Sequence, residues 1–159
     1  MSTIYSELLA NFGRSIGLPD LVADEEGYCA LSFDELAVNL QLDPATRELL
    51  IFAHLGEIDD DDPSALYARM LAANSFWQGT GGATLGIEPE TQAVFLARTV
   101  SVRVLDDAAF EALLEGFIQQ AEHWRQEVET FVSDDVTPGI LADAEPEHRP
   151  AGPTNFIVG

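Results

Sequence analysis

The chain has 159 residues, 47% of them hydrophobic, with 28 acidic side chains against 7 basic ones, a formal net charge of −21 at pH 7 and a pI near 4.1. That length and apolar content suit one domain with a core of its own. The charge repels nucleic acid and anionic membrane surfaces, and it favours basic partners.

Residues 3–17 read as an amphipathic helix, with Ile4, Leu8, Phe12 and Ile16 near one face and Tyr5 and Leu9 widening the stripe. Gly17 and Leu18-Pro19 end it. An acidic loop around Asp24, Glu25 and Glu26 follows. Residues 28–33 then alternate, with Cys29, Leu31 and Phe33 on one side. Leu36, Val38, Leu40 and Leu42 share one face of the next strand, and residues 32–35 make the hairpin connection between the two. Residues 48–56 are apolar on both sides. A helix competes there, but the preceding hairpin and the β-rich composition favour a strand.

The acidic run 59–62 leads into Pro63, which reads as a helix start with Asp62 as the capping carboxylate. Leu66, Tyr67, Met70, Leu71 and Ala73 supply about three helical turns. Gly79, Gly81 and Gly82 break that pattern. Thr84, Leu85 and Ile87 begin another strand. Glu88-Pro89-Glu90-Thr91 turns the chain, and residues 92–102 form a long strand. Asp106 caps a final helix whose stripe runs from Phe110 through Phe117 and Trp124 to Phe131. The expected fold is therefore α+β: an antiparallel sheet of about five strands with three helices, in the order α-β-β-β-α-β-β-α. Residues 1–133 form the domain. Residues 134–159, with prolines at 138, 146, 150 and 153, form a flexible acidic tail whose last apolar residues, Asn155 to Val158, could dock.

The glycine cluster tests first as a phosphate site. Its glycines are followed by a strand, whereas phosphate loops run from strand through glycines to helix, and Ile87 stands where a phosphate-loop lysine belongs. The cluster therefore shapes a corner. His54, His123 and His148 have no paired spacing, and the 59–62 run lacks the spaced ligands of a calcium loop, so no metal or cofactor is expected. Cys29 alternates into a strand as a small buried side chain, and no Gly-x-Ser-x-Gly elbow exists, so no catalytic group is expected. The lone cysteine excludes an intramolecular disulfide. No apolar run spans a bilayer and no signal segment opens the sequence, so a cytoplasmic location is expected.

Surface is what remains. The strands at 49–55 and 93–102 are apolar on both faces. The domain's own helices cover one, and the other needs a partner, a second copy or an unusually well-filled core. A small sheet also leaves edges that can accept an added strand.

Leu71 and Asn74 at a helix end, the 79–82 glycines, Thr84-Leu85-Gly86-Ile87, the Glu88-Pro89 turn, Val94-Phe95-Leu96 and the helix through Phe117 to Trp124 occur in this order over about residues 3–132. In that order they resemble the class I chaperones of bacterial type III secretion, the Tir-chaperone (CesT-like) family. The resemblance implies a homodimeric, non-enzymatic, cytoplasmic bacterial chaperone that needs no cofactor. Such a protein holds the N-terminal chaperone-binding segment of one or more secreted effectors extended and soluble, and helps present it to the secretion ATPase. A chaperone-like regulator that sequesters a regulatory protein of the secretion system is the alternative. The resemblance places the dimer interface at Leu66, Met70, Phe76, Trp77, Leu85 and Val94. It places effector binding at Leu8, Leu9, Phe12, Ile16, Leu31, Phe33, Leu50 and Phe52, each of which could equally be core.

Overall fold

The computed structural model describes residues 3–134. Among them are helices α1 (Thr3–Ser15), α2 (Ser64–Asn74) and α3 (Asp107–Asp134), and strands β1 (Tyr28–Phe33), β2 (Leu36–Leu42), β3 (Glu48–Glu57), β4 (Thr84–Glu88) and β5 (Ala93–Ser101). The strands form one antiparallel sheet in the order β1-β2-β3-β5-β4. The expected element order holds, including the strand at β3. Of the tail expected at residues 134–159, Asp134 closes α3 and residues 135–159 lie outside the described residues.

Local chemistry explains the boundaries. The α1 pattern reaches to residue 17, but the helix stops at Ser15, because Gly17 takes a left-handed φ of 79° and Leu18 N–H returns to the Gly13 carbonyl at 2.7 Å. At α3, Asp106 caps as expected, its carboxylate accepting from Ala109 N–H at 2.8 Å. The start of α2 differs from the reading. Asp62 accepts from the N–H and hydroxyl of Ser64, but Pro63 holds the cap position and the helix begins one residue later.

Rows of residues crossing all five strands show how the core is built. Leu31, Val38, Ala53, Leu96 and Leu85 are consecutive cross-strand partners from β1 to β4, and all are buried. Leu40 and Ile51 extend this inner face, and α1 and α3 help to close it. The two helices meet where the Phe12 and Phe110 rings stand edge to face at 5.8 Å.

The glycine corner is a packing device. A Cβ on Gly79 would lie 2.7 Å from the Ala73 Cα, and Gly82 has a φ of 93°. Trp124 of α3 donates its indole N–H to the Gly79 carbonyl at 3.0 Å, tying the corner to the core.

Candidate protein-binding surfaces

The row one residue over from the buried one is Ala30, Asn39, Phe52, Ala97 and Thr84, again consecutive partners across the sheet. It lies on the outer face, and none of its members is fully buried. Leu50 and His54 are exposed beside it, and Phe95 is half-buried, with its ring 5.3 Å from that of His54. The face is framed by two aromatics. Tyr28 donates its hydroxyl to Asn39 Oδ1 at 2.6 Å, and Asn39 Nδ2 donates on to the Phe52 carbonyl at 3.3 Å. At the other end, Trp77 donates its indole N–H to Thr84 Oγ1 at 3.1 Å and lines a depression of about 350 Å³ with Leu50, Arg98 and Thr99. This arrangement offers apolar contact beside a few fixed polar groups, a surface suited to an extended chain.

A second surface lies at α2. Tyr67, Met70, Leu71, Asn74, Leu85, Gly86 and Ile87 line a largely apolar groove of about 320 Å³ between α2 and β4. Leu71 is 70% exposed and Phe76 84% exposed. Phe76 and Trp77 both take left-handed backbone angles, with φ of 52° and 55°. Two successive aromatic residues in that region store strain, a feature associated with functional sites.

The residues expected to bind partners divide sharply. Leu8, Leu9, Phe12 and Leu31 are buried within the chain's own core. Ile16 and Leu50 are exposed, and Phe33 and Phe52 are half-buried. Of the expected dimer positions, Leu66, Met70, Leu85 and Val94 are buried, whereas Phe76 and Trp77 are exposed. Trp77 stands on the outer sheet face near Leu50, so it joins the other group spatially. Tyr28, Leu71 and Phe95 join these surfaces from outside the expected binding positions. Their signal is the alternation itself: Tyr28 and Phe95 occupy outward positions of their strands.

The shifted titratable groups sit in the core or in turns. Burial pushes the Cys29 thiol up, with the Asp24 carboxylate adding to the effect, so it is held as a neutral core group. Burial likewise raises the Tyr5 phenol well above its ordinary value, with Cys29 and Asp24 contributing. Asp43, Asp62 and Glu88 are lowered by hydrogen bonds within their own turns: from Ala45 and Thr46, from Ser64, and from Thr91.

The model of the Tir chaperone protein (CesT) family matches residues 7–125. The transcriptional anti-antiactivator ExsC of Pseudomonas aeruginosa is 32% identical over 122 residues, spanning 76% of this chain and 83% of that protein. The ExsC–ExsE complex is also similar in structure, with a TM-score of 0.68 at 30% identity over 80% of this chain and 97% of that one. The ExoT–SpcS complex from Pseudomonas aeruginosa matches with a TM-score of 0.60 at 26% identity, covering 77% and 98%. The HopA1–SchA chaperone–effector complex shares the fold, with a TM-score of 0.62 at 24% identity, covering 77% and 94%.

Proposed function

The chain belongs to the Tir chaperone protein (CesT) family, and from that premise we propose that it is a cytoplasmic chaperone of type III secretion that binds an effector's N-terminal segment and holds it extended. The observation that carries this reading is the family match from α1 into α3, set beside an outer sheet face that carries exposed and half-buried apolar side chains. An extended segment can gain main-chain hydrogen bonds at a sheet edge and side-chain contacts on the adjoining face. We assign the contact positions on that face to Leu50 and Phe52, joined by Tyr28, Phe95 and Trp77. Phe33, which shares the inward parity of Leu31, and Ile16, just past α1, are assigned contacts on the helix-covered side of the sheet. The buried Leu8, Leu9, Phe12 and Leu31 shape this surface from beneath. The role is binding without catalysis, and the acidic body suits effector segments rich in basic residues.

The same reading includes a homodimer. The groove between α2 and β4, the exposed Leu71 and the strained, exposed Phe76 form a patch suited to a two-fold contact with a second copy. Leu66, Met70, Leu85 and Val94 support that patch from the core. Delivery to the secretion ATPase is the further step implied for a loaded dimer.

The test is co-expression with secreted proteins from the same bacterium, comparing wild type with Leu50→Asp and Ser32→Pro. Leu50→Asp places a charge on the outer face. Ser32→Pro removes an outward N–H from β1 without breaking its ladder to β2. Each variant should stay folded and lose roughly tenfold or more in effector affinity, the scale of about one lost interaction. Folded variants with undiminished affinity would overturn the placement. The regulatory reading has its own support in the 32% identity to an anti-antiactivator. It is favoured if the captured partner controls transcription.

A further inference from the structure

The two edges of the sheet are finished differently. At Leu85 of β4, and at Ala83 just before the strand, the backbone groups that face away from β5 are already taken. Leu85 N–H donates to Asn74 Oδ1 at 2.8 Å, and Asn74 Nδ2 donates to the Leu85 carbonyl at 3.0 Å. One carboxamide thus makes both bonds that a neighbouring strand would make at that position. Just before it, Ala83 N–H donates to the Thr80 carbonyl at 3.2 Å, and the buried Thr80 hydroxyl donates to the Ala83 carbonyl. Two successive outward positions are filled by the chain itself, which leaves only the last one on this edge, at Ile87, open among the described residues.

At β1 the filling stops after one position. Tyr28 N–H donates to Asp24 Oδ1 at 2.9 Å, and Asp24 N–H donates to the Tyr28 carbonyl at 2.8 Å. Ala30 and Ser32 follow with the same outward parity. Among the described residues, no hydrogen bond reaches their outward groups.

We propose that Asn74, seconded by Thr80, seals the β4 edge against strand addition, so that an extended partner pairs with this sheet only along β1. Asn74 is here a specificity-determining residue. It lies at the last position of α2, and its carboxamide spans from the helix to a strand eleven residues further on. An open edge is a template for unwanted pairing, and a sheet whose purpose is to accept a strand cannot blunt every edge. Sealing β4 resolves that conflict by position, and it also keeps the strand bordering the proposed dimer groove from running on into the sheet of a second copy. The proposal rests on the strand-addition reading for its meaning, but the sealing itself is measurable without an effector.

Asn74→Ala removes both bonds to Leu85. The full chain alone is compared with wild type by amide hydrogen exchange and by sedimentation velocity over a concentration series. The Leu85 amide should exchange roughly tenfold faster, as expected for one lost hydrogen bond. The variant should form assemblies larger than wild type, growing with concentration as freed edges pair. Adding Ile87→Pro to this variant takes away the next outward N–H of the same edge and should remove the assemblies larger than wild type. If Asn74→Ala does not fold, Asn74→Asp serves. It keeps an acceptor for the Leu85 N–H but sets a carboxylate oxygen against the Leu85 carbonyl, and it should assemble to a lesser degree. A folded variant with wild-type mass at every concentration overturns the proposal. So do unchanged Leu85 exchange and assemblies that persist with Ile87→Pro. Failure to bind an effector, by contrast, would count against the chaperone reading alone.

Discussion

Two neighbouring rows of the sheet lie one residue apart in register and have opposite fates. Leu31, Val38, Ala53, Leu96 and Leu85 form one row and are all buried. Ala30, Asn39, Phe52, Ala97 and Thr84 form the other and stay partly or fully exposed. Both belong to the same strands, so β propensity is not what separates them. The helices α1 and α3 close one face, and a step of one residue moves a side chain to the opposite face. Phe52 is as apolar as anything in the inner row, yet its face must be covered from outside or not at all. Hydrophobicity in this sheet therefore serves two purposes, and only position tells them apart.

The comparison breaks most severely at Phe12. Its ring is 5% exposed and packs against Phe110, so Phe12→Asp buries an unpaired carboxylate at the junction of α1 and α3. The cost is on the order of the whole stability of a domain this size, about 5 kcal/mol or more. Circular dichroism should show an unfolded chain, and a native melting curve would mean that Phe12 belongs to the outer surface after all. A gentler contrast is Ile51→Ala against Phe52→Ala, adjacent residues of β3 on opposite faces. The first should cost about 2–5 kcal/mol in urea denaturation, and the second roughly 1 kcal/mol. Equal losses would show that the outer row is packed as tightly as the inner.

Phe76→Gly sharpens the same division at α2. Glycine accepts the left-handed angle, so the fold should be unchanged or stabilised by up to about 1 kcal/mol. The proposed dimer, having lost an exposed aromatic, should dissociate at higher protein concentration in sedimentation equilibrium. A destabilised variant with an intact dimer would place Phe76 in the fold's own packing. The smallest effect is on pH. Asp43, Asp62 and Glu88 have folded values lowered from ordinary ones of 3.8, 3.8 and 4.5. Folding thus favours their ionised forms. That contribution is present above those ordinary values and is lost as pH falls through the lowered ones. Since these groups are exposed, Asp43→Asn should flatten the acid limb of the stability curve only slightly. A large change would mean that the turn contributes more than its solvent exposure suggests.

Much of this was legible in one dimension. The alternation of Leu36, Val38, Leu40 and Leu42 placed β2 on its residues as observed. The glycine run at 79–82 forms a corner between α2 and β4, as its place between a helix pattern and a strand pattern implies. Element ends differ from the pattern by a residue or two, as at the end of α1 and the start of α2, where turn hydrogen bonds decide the terminal residue.

What the sequence determined by itself was therefore periodic: which segments are helix or strand, in what order, and which side chains share a face. Periodicity is a local property, set by the backbone repeat. Tertiary structure decided which of two similar apolar faces is covered, so that Phe12 lies in the core while Phe76 stands in solvent. It also brought Asn74 to the backbone of Leu85. Neither follows from spacing, because burial and edge closure depend on which elements meet in space, and an asparagine at a helix end reads the same whether or not a strand lies within its reach.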